Sequence, residues 1–194
     1  MKFTYSIPTK ILFGPGSFND LATTPLPGKK ALVVITAGKS MRANGYLDRL
    51  IDMLDKQGIG HALFDKILPN PVLRHVHEGA ALAREQGCDF VIGLGGGSSI
   101  DSAKSIAVMA KNPGDYWDYI SGGSGKGQPL VNGALPIVAI ATTAGTGTEA
   151  DPWTVITKED TNEKIGFGCA ETFPVLSVVD PEMMLTIPAH LTAY

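Results

Sequence analysis

The chain has 194 residues, of which 44% are hydrophobic and 18% charged, with a formal net charge of −3. That is ample material for one large domain with a sizeable core and excludes a disordered chain. The slightly acidic balance gives no basic field for nucleic acid or anionic lipid, no run of about 18 apolar residues could cross a bilayer, and the first ten residues lack the charged-then-apolar order of a secretory signal.

An extended N-terminal stretch (3–7, then 10–13) leads into the turn Gly14-Pro15-Gly16. Strand and helix patterns then alternate. A β-branched apolar strand is predicted over 31–35, a helix over 40–57 with Leu47, Leu50, Ile51 and Leu54 at helical spacing, and a short strand over 61–64. A helix over 72–86 is stopped by Gly87 and followed by a strand over 90–94, a helix over 98–110 and a strand over 137–140. The Gly/Ser-rich stretch 121–128 reads as a flexible surface loop. Two short strands, 153–156 and 164–168, flank a polar turn and predict an antiparallel hairpin; a buried strand over 175–179 and a helix start near Pro188 complete the pattern. Such alternation implies an α/β fold: a Rossmann-like parallel sheet flanked by helices on both faces, with the hairpin appended.

The most informative segment runs from Val91 to Lys104, where an apolar strand enters Gly95, Gly96 and Gly97 and then directly a helix. Three residues without Cβ let the backbone approach a ligand closely, and a helix N-terminus offers unpaired N–H groups and its positive dipole end, an arrangement suited to a diphosphate. Ser98 and Asp101 have capping spacing, so the helix is expected to begin at Ser98 with the glycines on the turn. The stretch 141–149 repeats the logic: an apolar strand, then Thr142, Thr143, glycines, and Thr146 in capping spacing with Glu149. Two such turns at the carboxyl ends of parallel strands predict a ligand cleft.

Other chemistries are disfavoured. Gly38-Lys39-Ser40 resembles the end of a P-loop, but Val33 stands where that motif needs Gly. Gly93-Leu94-Gly95-Gly96-Gly97-Ser98 nearly matches the dinucleotide fingerprint, except that Ser98 replaces the third Gly or Ala and the turn follows the third strand of the alternation. Cys88 and Cys169 fit no metal or redox spacing and read as reduced thiols. His75 and His77, two apart on a helix, face different ways.

Gly95 to Ser98 followed by Asp101 and Ala103-Lys104 resembles the cofactor motif of the iron-containing (group III) alcohol dehydrogenase family. The resemblance extends to residues 136–149, to Leu68-Pro69-Asn70-Pro71, and to Val179-Asp180-Pro181-Glu182 through Leu191-Thr192-Ala193. It implies NAD or NADP as cofactor, with adenosine and diphosphate over Gly95, Gly96, Gly97, Ser98, Thr142, Thr143 and Thr146. Asp101, Lys164 and Asn70 would lie toward the ribose and nicotinamide, and Leu185 would touch the cofactor from the last loop. Each has a plainer reading: Asp101 as a cap, Lys164 as a surface lysine, Leu185 as core. The family frequently carries an Asp after the first strand of the alternation, whereas residues 36–40 here contain no acid. Lys39 and Ser40 suit a 2′-phosphate, although Lys39 reads equally as a solvated lysine.

The resemblance further implies Fe2+ (Zn2+ in some relatives), held by an Asp just after the Leu-Thr-Ala element and by histidines of an all-helical second domain. Leu191-Thr192-Ala193 is followed only by Tyr194, so these family ligands are expected to lie beyond Tyr194. The expectation is therefore an α/β dinucleotide-binding domain over 1–185 and the start of a truncated metal-binding helical domain over 186–194. Neither metal ligand nor catalytic residue is expected in the segment, which alone should be inactive. The full-length enzyme would be a cytoplasmic oxidoreductase, as a homo-oligomer, interconverting an aliphatic alcohol and its aldehyde or ketone. A glycerol dehydrogenase or dehydroquinate synthase relative, and a non-catalytic nucleotide-binding module, are the alternatives.

Overall fold

The computed structural model describes residues 2–4 and 6–189. The chain runs β1 (Lys10–Phe13), β2 (Lys30–Thr36), α1 (Ser40–Ala43), α2 (Tyr46–Lys56), β3 (Gly60–Ile67), α3 (Leu73–Glu85), β4 (Phe90–Gly95) and α4 (Gly97–Lys111). It continues with β5 (Ile137–Ala141), the hairpin β6 (Thr154–Lys158) and β7 (Glu163–Phe167), and β8 (Leu176–Val179). Six strands form one parallel sheet in the order β1-β8-β5-β4-β2-β3, and β6 and β7 pair antiparallel beside it. The expected α/β fold, with its appended hairpin, is therefore the fold observed.

Both faces of the sheet are covered, which explains why the central strands are continuously apolar instead of alternating. In β2, Ala31, Val33 and Ile35 pack under α2 with Phe18 and Leu21, while Leu32 and Val34 face α3 and α4. The connection from β2 leads outward to β3 and that from β4 leads the opposite way to β5, so the strand order reverses between β2 and β4. In open parallel sheets the crevice at the carboxyl ends beside such a reversal is the ligand position.

Four local expectations need correction. The predicted helix over 40–57 is two helices, because Gly45 takes φ 70° between α1 and α2, a left-handed conformation that breaks the helical path. Among the described residues of the N-terminal extended stretch only β1 joins the sheet, pairing with β8. The loop 121–128 is fastened: the Ser124 N–H and hydroxyl donate to Glu163 of β7 at 2.7 and 2.5 Å, and Gly127 N–H donates to the Ile120 carbonyl. The strand expected over 153–156 starts at Thr154. The Leu-Thr-Ala element at 191–193 and Tyr194, beyond which the metal ligands are expected, lie outside the described residues.

Candidate dinucleotide-binding cleft

α4 lies unusually close to β4. A Cβ on Gly93 would stand 2.9 Å from the Ile100 Cα and 3.0 Å from the Ala103 Cβ, so the strand needs glycine there for the helix to pack. Gly95 ends the strand at φ 142°, and Gly96 is the N-cap. The helix begins at Gly97, one residue before the expected Ser98, and no side chain caps it. The Ser98/Asp101 capping pair is thus absent. The first amides of a helix have no intrahelical acceptor, so those of Gly97 and Ser98 are left for a ligand, at the positive end of a 15-residue helix.

The second turn closes on the first. Thr142 N–H donates to the Gly95 carbonyl at 3.0 Å, and Cβ atoms added to Gly96 and Gly97 would lie 3.0 Å from Thr143 Oγ1 and 2.9 Å from Thr146 Cγ2. The glycines therefore make room for the threonines. Thr142 is buried, Thr143 half-buried and Thr146 exposed. No helix follows Thr146, so its predicted capping with Glu149 is not found; the chain turns irregularly until β6. Beside these turns a cleft of about 180 Å³ is lined by Ser40, Met41 and Asn44, by Thr142 and Thr143, and by residues 186–188. The loops after β2, β4 and β5 thus meet at the strand-order reversal. Larger hollows lie elsewhere, among them one of about 440 Å³ at the C-terminal end of α4 and one of about 470 Å³ over β3 and α3. In the former, His77 pairs with Asp115 at 3.1 Å and Arg84 donates to the Met109 carbonyl, so these two side chains already have partners.

Beneath the second turn lies a polar network that local spacing did not disclose. Lys104 is fully buried, and its Nζ donates to Thr148 Oγ1 at 2.7 Å and to the Asp151 and Trp153 carbonyls at 2.8 Å each, with Asp151 Oδ1 at ion-pair distance, 3.2 Å. The Thr148 hydroxyl donates in turn to Asp101 Oδ1 at 2.7 Å, and Val155 N–H donates to Asp101 Oδ2 at 2.9 Å. Burial pushes the Asp101 carboxyl up, against the hydrogen bonds from Thr148 and Val155; burial likewise pushes the Lys104 ammonium down, against Asp151 and Asp101. One signal for Lys104 was available: it is the single charge between Asp101 and Lys111 in a helix otherwise of small and apolar residues.

The remaining expected residues are dispersed around this centre. Lys164 on β7 donates to Asn70 Oδ1 at 3.0 Å, joining two side chains that the resemblance places near the nicotinamide end. Lys39 is exposed at the N-cap of α1, next to the cleft-lining Ser40. Leu185 is 82% exposed, which removes the core reading for it. His75 is buried against Phe64 while His77 faces Asp115, on different sides of α3 as expected. Cys88 and Cys169 are free. Among the described residues no three His, Cys, Asp or Glu side chains are grouped to hold a metal, so these residues do not furnish the iron or zinc site that the resemblance implies.

Comparison with known proteins agrees with this geometry. The chain is 38% identical over 192 residues to a probable NADH-dependent butanol dehydrogenase of Bacillus subtilis, covering 99% of the chain and 48% of that protein. It is 36% identical to NADH-dependent butanol dehydrogenase B of Clostridium acetobutylicum, covering 98% of the chain and 48% of that protein. The crystal structure of an NADH-dependent butanol dehydrogenase A from Thermotoga maritima superposes with a TM-score of 0.90 at 36% identity, covering 100% of this chain and 48% of that one. The chain spans about half the length of the curated relatives it matches. With the family profile described as iron-containing alcohol dehydrogenase matching residues 8–181, the chain belongs to the iron-containing alcohol dehydrogenase family.

Proposed function

We propose that this chain is the NAD(P)-binding part of an alcohol dehydrogenase that interconverts an aliphatic alcohol and its aldehyde or ketone. The observation that carries the reading is the uncapped start of α4 abutting the threonine turn: two free amides, the helix dipole and flanking hydroxyls converge where a diphosphate fits. Gly95, Gly96, Gly97 and Ser98 bind the diphosphate with Thr142, Thr143 and Thr146, and the cleft at Ser40 and Thr186 takes the adenosine. Asn70 and Lys164 orient the ribose and nicotinamide side, Leu185 covers the cofactor from the last loop, and Asp101 acts from below through Thr148. When bound, the nicotinamide supplies the hydride acceptor or donor; the protein groups here bind and orient it. The absence of an acid from residues 36–40 favours acceptance of NADP beside NAD, with Lys39 meeting the 2′-phosphate.

Metal binding by residues beyond Tyr194, the helical second domain beginning near residue 186, cytoplasmic location and homo-oligomeric assembly belong to the same reading. Among the described residues no helix is long and apolar enough to cross a membrane. The test is a fluorescence titration with NADH and NADPH of the wild-type chain and of Gly96→Val. At φ −83° the backbone accepts valine, so the variant fills the space by Thr143 without backbone strain. Loss of affinity by about tenfold or more is expected. No binding of either cofactor by the wild-type chain, or equal binding by the variant, would contradict the proposal.

A further inference from the structure

We propose that Lys104 is a positioning residue: its buried ammonium moulds residues 148–153 and thereby sets the second cofactor-binding turn against the glycine turn. The inference rests on the dinucleotide reading and adds a residue to it. Four oxygens surround Nζ within 3.2 Å, and all come from Thr148, Asp151 and Trp153, in a segment with no helix or strand to satisfy its carbonyls. Asp101, three residues earlier on α4, holds the same segment through the Thr148 hydroxyl and continues to the Val155 amide. Asp151 Oδ1 also accepts the Trp153 N–H at 2.8 Å, which closes the loop on itself around the ammonium.

Two features separate this from ordinary core stability. A buried charge is weak evidence for stability, since well-packed apolar residues of similar volume often do as well, and in several proteins such groups serve to specify one arrangement. Moreover, α4 carries both ends of the device. Its first residues form the open amide site, and Lys104, two turns on, fixes residues 148–153, which directly follow the turn whose Thr143 and Thr146 abut Gly96 and Gly97. Loss of the ammonium would free residues 148–153 and let the threonines drift from the glycines, leaving the sheet intact.

The test compares Lys104→Met, which keeps length and apolar bulk but removes the charge, with the wild-type chain and with Met53→Ala, a core change in α2 on the opposite face of the sheet. NADH affinity and amide hydrogen exchange are measured on each. Expected for Lys104→Met are about tenfold weaker NADH binding and faster exchange confined to residues 148–155, with β2 and β4 as protected as in wild type. Met53→Ala, though less stable, should bind NADH within about twofold of wild type. If Lys104→Met does not fold, Thr148→Val decides, because it removes only the hydroxyl linking Lys104 to Asp101; NADH binding should weaken at least about threefold. Wild-type affinity in the variant that folds, or a Met53→Ala loss as large, overturns the inference while leaving the cofactor reading intact. Failure of the wild-type chain to bind NADH or NADPH overturns the reading itself and this inference with it.

Discussion

Gly93→Ala is the substitution that most sharply tests how the fold presents the cleft. The added Cβ would meet the Ile100 Cα at 2.9 Å, the Ala103 Cβ at 3.0 Å and the Ser99 carbonyl oxygen at 3.3 Å, whereas carbon atoms rest about 3.5–4.0 Å apart. Most of these neighbours belong to helix backbone and cannot rotate aside, so α4 must move outward by roughly 0.5–1 Å, forfeiting a quarter to a half of each facing contact. Overpacking of this kind costs up to about 3 kcal/mol, offset by about 0.5–1 kcal/mol from replacing a strand glycine, for a net loss near 2 kcal/mol. In a chain of this length that lowers Tm by roughly 4–8 °C. Gly79→Ala is the control. Its Cβ meets the Ile106 side chain, Cδ1 foremost and Cγ1 at 2.9 Å, atoms that shift more readily than helix backbone, and alanine gains about 1 kcal/mol in a helix, so the net loss should be smaller than that of Gly93→Ala. Urea and thermal unfolding followed by circular dichroism measure both. A Gly93→Ala variant as stable as wild type, or one less affected than Gly79→Ala, would refute the packing argument; displacement of α4 should also weaken NADH binding.

Glu163 gives a pH-dependent prediction: hydrogen bonds from Ser124 and Thr161 hold its carboxyl down at about 2. Because the folded value lies below the unfolded one, the contribution is complete above about pH 4.3 and lost as the pH falls toward 2. The Ser124 amide resonance should report that loss, and Glu163→Gln should abolish it. Asn112→Ala removes two hydrogen bonds accepted from Val131 and Asn132 N–H and two donated to the Val108 and Gly133 carbonyls; a loss of about 1–3 kcal/mol is expected in urea unfolding. Asp101→Asn leaves Lys104 with one fewer facing carboxylate and should cost about 1–3 kcal/mol. An unchanged midpoint would count against the network.

The parallel sheet was legible because its signals are local. Continuous apolar runs at 31–35 and 90–94 mark strands buried on both faces, and the spacing of Leu47, Leu50 and Leu54 marks the face of α2 that meets them. The glycine turn was legible for the same reason, as three residues without side chains between a strand and a helix. What escaped the sequence depends on partners far along the chain. Asp101 and Ser98 have capping spacing, yet Asp101 is drawn to Thr148 and Val155, about fifty positions away. Thr146 and Glu149 have the same spacing, but the following residues curl round Lys104 instead of starting a helix. The Gly/Ser loop likewise looked flexible by composition, and its anchor is Glu163 on a hairpin 39 residues later. The break at Gly45 fell inside a pattern that stays helical on both sides.

The central claim is that a dinucleotide binds where the glycine and threonine turns meet, and an amide NMR titration of the chain with NADH tests it residue by residue. The account predicts the largest shifts at Gly95 to Ser98 and Thr142 to Thr146, smaller ones at Ser40 and Thr186, and none at His77 or Arg84 around the larger hollow at the far end of α4. Shifts centred on that hollow, or no shifts at saturating NADH and NADPH, would contradict it.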